Sequence, residues 1–149
     1  MALHLSQFFT ALAGKPVSFS FAGNAPAPKE ACMYSLYTAP PEAAPVVMRI
    51  SLQALALLGA SLLGLPEDTA LERAAATPTD EPMRDAMHEV LNIASTAIGG
   101  DTRLVFQTMF RDKASLPGEA ATLLAAPGPN TSFRIAVDGA DSGMATLFY

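Results

Sequence analysis

The stretch Asp80-Glu-Pro-Met-Arg-Asp-Ala-Met-His-Glu-Val-Leu-Asn-Ile-Ala-Ser-Thr-Ala-Ile-Gly-Gly100 carries the period of a single amphipathic helix. Met83, Met87, Val90, Ala94, Ala97 and Ile98 recur at helical spacing and mark a face that must be buried against a second layer. Thr79 or Asp80 can cap its start by accepting from the open amides of the first turn. Pro82 is tolerated there because those amides have no helical partner, and Glu81 places negative charge near the positive end of the helix dipole. Gly99-Gly100 marks a stop or a kink.

The other side of this helix is polar in an ordered way. Asp85, Glu89, Asn92 and Thr96 follow one another at steps of four, three and four, which stacks them in one stripe. A carboxylate beside a carboxamide on a rigid outward face suits a site that grips a cation and orients a water. The competing reading is a plain solvated helix face. His88 points about a quarter-turn away from Glu89 and reads as a surface histidine, and Ser95 as part of the polar face.

Working outward toward the N-terminus, Leu52–Leu63 reads as an apolar helix, and the longer run to Leu65 is short of the roughly 20 residues needed to span a bilayer. Leu65–Thr79 reads as an exposed connection with a short helical piece at Thr69–Ala75. Val46-Val-Met-Arg-Ile50 alternates as a strand with Val46, Met48 and Ile50 together, and Cys32–Leu36 as another with Cys32, Tyr34 and Leu36 on one face. The Pro-rich loop from Pro40 to Pro45 joins them, short enough to favour antiparallel pairing. Val17-Ser-Phe-Ser-Phe21 alternates strictly, with Val17, Phe19 and Phe21 on the buried side, and Leu3–Leu12 reads as a helix closed by Gly14. The segment between them, Gly23–Lys29, reads as a turn or loop.

Toward the C-terminus, Leu104-Val-Phe-Gln-Thr-Met-Phe110 is ambiguous. Phe106 and Phe110 fall four apart, which favours a helix capped by Asp101. Ser132–Val137 alternates, Asp138-Gly139 supplies a hairpin turn, and Met144–Phe148 makes a closing strand. These elements predict one α+β domain over residues 1–149, an antiparallel-rich mixed sheet with its helices packed on one face.

Composition narrows the function classes. The chain has 149 residues, half of them hydrophobic and 15% charged, which fits a folded, core-rich domain rather than disorder. A net charge of −5 without a Lys/Arg cluster argues against nucleic acid or an anionic membrane as partner. Cys32 is alone, so no intramolecular disulfide forms, which fits a reducing compartment; it reads as a small buried strand residue. With one Cys and the distant His4 and His88, a structural zinc site is not expected. The start lacks the basic and long apolar regions of a signal peptide, so a cytoplasmic location without a membrane span is expected. Nothing matches a phosphate-binding Gly loop, and Ser95 and Ser115 have no histidine at a recognisable spacing, which leaves a small-ligand enzyme unsupported.

The element order and the helix motif together resemble the CheC, CheX and FliY group of bacterial chemotaxis phosphatases. Their signature is Asp or Ser, three residues, Glu, two residues, Asn, then about twenty-two residues and a Pro. Asp85, Glu89 and Asn92 match in place, and Pro117 follows two residues later than in the pattern. A single Glu-x-x-Asn site is more similar to CheX than to CheC, which usually has two. The sequence departs from the family after the motif, where Ile93-Ala-Ser-Thr-Ala-Ile-Gly-Gly100 stands in place of a small Ala-Gly-Asn run.

The resemblance implies hydrolysis of the aspartyl phosphate on a CheY-like response-regulator receiver. Glu89 would hold a lysine of the partner, and Asn92 would enter the partner's site and orient the attacking water. Asp85 and Thr96 would contact the partner, and Pro117 would fix how a loop approaches the helix. The chain would need no cofactor of its own, the Mg²⁺ belonging to the receiver. It also implies an alternative without catalysis, because the FliM middle domain, a relative of this fold, serves as a binding and assembly module. In that reading the chain docks a receiver or self-associates as a homodimer, with the terminal strand Met144–Tyr149 pairing across a subunit edge.

Overall fold

The computed structural model describes residues 1–23, 28–101, 103–125 and 128–149. In chain order the elements are α1 (Ala2–Ala13), β1 (Val17–Phe21), β2 (Cys32–Ala39), β3 (Ala44–Ser51), α2 (Leu52–Leu63), α3 (Glu67–Ala75) and α4 (Glu81–Gly99). There follow β4 (Val105–Phe110), a 3₁₀ turn at Lys113–Ser115, α5 (Gly118–Ala125), β5 (Asn130–Val137) and β6 (Ala140–Phe148). Most of the predicted loop Gly23–Lys29 lies outside the described residues.

The six strands form one sheet in the order β1-β5-β6-β3-β2-β4, and every pairing is antiparallel. Alternation then assigns each strand residue to one of two faces. Met33 and Tyr37 of β2, Met48 and Ile50 of β3, Ile135 of β5 and Leu147 of β6 face the main core. That core takes Leu5 and Phe9 from α1, nearly all of α2, Ala70 and Ala74 from α3, and Met83, Met87, Val90, Leu91, Ala94 and Ala97 from α4. The α+β class and the helical layer on one face are therefore as the patterning predicts. One helix departs from it. α5 covers part of the opposite face, where Leu116 and Ala120 pack with Val47, Tyr34, Leu36 and Phe148.

Several local readings need correction. Leu104–Phe110 holds a strand, not a helix, paired to β2 with a bulge: Leu36 faces Thr108 and Tyr37 faces Phe106, so Gln107 is the extra residue. The bulge lets Phe106 and Met109, three apart, join the main core while Phe110 packs on the far side. The four-residue spacing of Phe106 and Phe110 therefore does not mark one face. On β2 the residues facing the helices are Met33, Ser35 and Tyr37, whereas Cys32, Tyr34 and Leu36 are half-buried on the α5 side. Phe21 keeps the predicted side but is 67% exposed, its ring tilted against that of Phe133 with centroids 5.3 Å apart. Ser95 is buried, its hydroxyl donating to the Asn92 carbonyl at 2.6 Å.

The terminal strand cannot pair across a subunit edge. β6 lies inside the sheet between β5 and β3, hydrogen-bonded on both sides. The edges are β1 and β4. α1 already covers β1: Ser6 Oγ accepts the Phe19 N–H at 2.8 Å and Thr10 Oγ1 the Val17 N–H at 3.0 Å. β4 is the open edge, and it runs beside α4.

Candidate functional site

α4 is held at both ends and along its length. At its start Asp80 caps the helix, accepting the Met83 N–H at 3.0 Å. Arg73 grips the same carboxylate with two bonds, Nε to Oδ2 at 2.8 Å and Nη2 to Oδ1 at 2.6 Å. Those contacts hold the Asp80 carboxyl down at about 2. Arg111, just past β4, donates to the carbonyls of Ala74 (2.8 Å) and Ala76 (2.9 Å) and to Thr79, tying the α3–α4 connection to the sheet. Midway, the buried Tyr37 phenol donates to the Leu91 carbonyl at 2.7 Å. On the α2 side Gly59 admits close packing, since a Cβ there would lie 3.2 Å from the Met83 methyl. The helix is thus a fixed platform.

On that platform Asp85, Glu89, Asn92 and Thr96 are all exposed. Among the described residues, no hydrogen bond or ion pair engages their side chains. The predicted stripe is therefore present and unoccupied by internal contacts. Residues one turn apart on a helix have Cβ atoms about 5–6 Å apart, so Glu89 and Asn92 can address one partner together.

Two grooves flank the stripe between α4 and the β4 side of the fold. One, of about 380 Å³, is lined by Asn92, Thr96 and Ser95 with Asp101, Arg103 and Phe106. The other, of about 670 Å³, is lined by Asp85, His88 and Arg84 with Thr79, Met109 and Arg111. Glu89 stands on the helix between Asp85 and Asn92. The stripe's ends thus open into different depressions, and a partner that engages all four residues must straddle both.

His88 is half-buried rather than a free surface histidine. Its ring meets Phe106 edge-on, centroids 5.6 Å apart. Burial lowers its pKa, the Arg84 guanidinium lowers it further and Asp85 opposes both. Pro117 opens α5, and its neighbour Leu116 packs with Val47 on the far face of the sheet. It therefore sets the start of α5 and does not steer a loop toward α4. Phe106 and Arg111 were not read as neighbours of the stripe because the pairing of β4 with β2, a long-range contact, sets their position, and Arg103, just past the end of α4, carries no spacing signal of its own. No group of three His, Cys, Asp or Glu side chains is placed to hold a metal ion among the described residues. No single helix among them is long and apolar enough to cross a membrane.

No protein-family model matches the chain, and no curated protein matches it in sequence. Solved structures do match it in shape. The FliM middle domain from H. pylori is 13% identical, with a TM-score of 0.56 over 99% of this chain and 84% of that one. The chemotaxis protein CheX from Desulfovibrio desulfuricans is 12% identical, with a TM-score of 0.52 over 97% of this chain and 91% of that one. FliY from Thermotoga maritima is 9% identical, with a TM-score of 0.52 over 97% of this chain and 82% of that one. The chain has the fold that CheX, FliY and the FliM middle domain share.

Proposed function

We propose that the chain is a CheX-like phosphatase acting on the aspartyl phosphate of a CheY-like receiver domain, through Glu89 and Asn92. The observation that carries this reading is the pair itself: both side chains stand exposed, one turn apart, on a helix fixed by Asp80 and Tyr37. Glu89 holds a lysine of the receiver by a charge-assisted contact. Asn92 reaches the phosphoryl group and orients a water within about 3–3.5 Å of phosphorus, so that catalysis is positioning. A carboxamide suits the task because it offers an acceptor and donors without bringing negative charge toward the phosphoryl oxygens. Asp85 and Thr96 extend the contact along the stripe. The Mg²⁺ is the receiver's, and this chain contributes no ligand to it.

A second reading rests on the likeness to the FliM middle domain. Here the stripe docks a partner and no hydrolysis follows. Self-association by strand pairing would in that case use β4, the open edge, and it would compete with docking because β4 borders both grooves.

One comparison separates the two. Receiver binding is measured by titration alongside decay of the receiver's phosphate, for wild type and Asn92→Ala. A phosphatase binds in both forms and accelerates decay only as wild type. A docking module binds in both and accelerates in neither.

A further inference from the structure

The charge on the α4 stripe runs against the reaction proposed for it. Asp85 and Glu89 present two exposed carboxylates, and Asn92 and Thr96 bring no charge to offset them. A receiver becomes more negative when its aspartate is phosphorylated, since a phosphoryl group is close to a dianion at neutral pH. By itself the stripe would favour the bare receiver over the phosphorylated one. A cation beside Asn92 would reverse that preference.

Arg103 is placed to be that cation. It lines the depression of about 380 Å³ into which Asn92 and Thr96 open, so a group seated there meets the carboxamide and the guanidinium together. Among the described residues it is the one cation in that lining, it is exposed, and no hydrogen bond or ion pair engages its side chain. A cation near the end of a helix commonly serves the last carbonyls and the dipole, but Arg103 donates to none of those carbonyls. Asp101, two residues away in the same lining, is not paired with it either. The other cations around α4 are placed differently. Arg73 is bound to Asp80, Arg111 is committed to the α3–α4 connection, and Arg84 lies beside His88 in the other groove.

We infer that Arg103 is the residue that makes docking depend on phosphorylation, its guanidinium donating to the phosphoryl oxygens while Asn92 orients the water. The inference rests on a receiver being the partner of α4. A guanidinium edge matches phosphoryl oxygens in geometry as well as in charge, and its charge does not change with pH. The contact is made to the phosphoryl group already in the docked complex, so it contributes to binding more than to the chemical step. Asp101 acts in the opposite sense, its carboxylate repelling the same oxygens.

The test uses the whole chain and a CheY-like receiver loaded with Mg²⁺ alone or with Mg²⁺ and beryllofluoride, a stable stand-in for the phosphoryl group on the aspartate. Titration gives the two affinities. Decay of the phosphorylated receiver gives the half-saturating receiver concentration and the maximal rate. Wild type should bind the beryllofluoride form more tightly. Arg103→Gln should lose roughly tenfold of that preference, about the worth of one charge-assisted hydrogen bond. It should raise the half-saturating concentration by a similar factor and leave the maximal rate nearly unchanged. Arg103→Lys should keep most of the preference, and Asp101→Asn should increase it. Opposite effects from two exposed neighbours are not what a folding defect produces. Wild type without affinity or preference for the beryllofluoride form overturns the inference. Preference retained in Arg103→Gln overturns it as well, and if decay is still accelerated, hydrolysis stands without Arg103. Preference lost in Arg103→Gln while wild type accelerates no decay supports Arg103 and overturns the phosphatase reading instead.

Discussion

The phenol of Tyr37 donates a 2.7 Å hydrogen bond to the main-chain carbonyl of Leu91, the residue immediately before Asn92. Tyr37 is fully buried in β2, its ring 5.6 Å from that of Phe106, so the sheet fixes the turn of α4 that presents Asn92. Burial pushes the phenol's pKa up, which keeps it a donor throughout the neutral range. Tyr37→Phe should cost about 1–2 kcal/mol of stability, the worth of one buried hydrogen bond. Urea denaturation followed by circular dichroism measures it, and an unchanged midpoint would show that the bond does not hold the helix.

The cap of α4 makes stability depend on acid. Arg73 and the Met83 N–H hold the Asp80 carboxyl at about 2, below its ordinary 3.8. A carboxylate depressed in the folded state contributes stability that is present above its unfolded pKa and lost as pH falls through the folded one. Between about pH 4 and pH 2 the wild type should therefore lose stability more steeply than Asp80→Asn. Denaturation midpoints across that window, with the Asp80 titration followed by NMR, check the sign.

His88 reports on Asp85 and Arg84. Its pKa is lowered first by burial and then by Arg84, with Asp85 pulling the other way. Asp85→Asn should lower it further, and Arg84→Gln should raise it. Because the folded value lies below the ordinary 6.5, His88 favours the folded state above that pH and loses this contribution as pH falls through the folded value. An NMR titration of the imidazole in the two variants decides; shifts of the same sign would contradict the placement of these side chains.

Gly143 tests the β6 register. Its φ is 121°, and a Cβ there would lie 2.5 Å from Ser51 Oγ and 2.6 Å from Ser51 Cβ. The same hydroxyl accepts the Met144 N–H at 2.9 Å. Gly143→Ala should destabilise by about 2–4 kcal/mol, from backbone strain and crowding together. Thermal denaturation measures the loss, and a melting temperature unchanged from wild type would contradict the close approach of Gly143 to Ser51.

Segments whose hydrophobic period runs undisturbed were legible in the sequence. α4, α2 and β1 have the predicted character and nearly the predicted limits, and Asp138-Gly139 makes the turn between β5 and β6. β4 was misread because Phe106 and Phe110, four apart, read as one helix face, whereas the bulge at Gln107 puts them on opposite faces of the sheet. α5 escaped notice for a different reason. Gly118–Ala125 is short and rich in alanine, and it buries only Ala120 fully, so its apolar face has little contrast. Strand order is not local information. The sequence therefore suggested an edge position for β6, while pairing with both β5 and β3 places it inside the sheet. The exposed stripe was legible as a helical spacing. Its setting was not, because the pairing of β4 with β2 is what sets the position of Phe106 and Arg111 beside it.

The most direct test of Glu89 and Asn92 is the decay of acid-labile phosphate on a Mg²⁺-loaded CheY-like receiver. Decay is timed alone, with wild type, and with the Glu89→Ala and Asn92→Ala variants. The wild type should accelerate decay, and each variant should lose at least roughly tenfold of that acceleration, about 1.4 kcal/mol of barrier. Decay equally fast with and without the protein, on a receiver that it demonstrably binds, would contradict hydrolysis and leave the stripe as a docking surface.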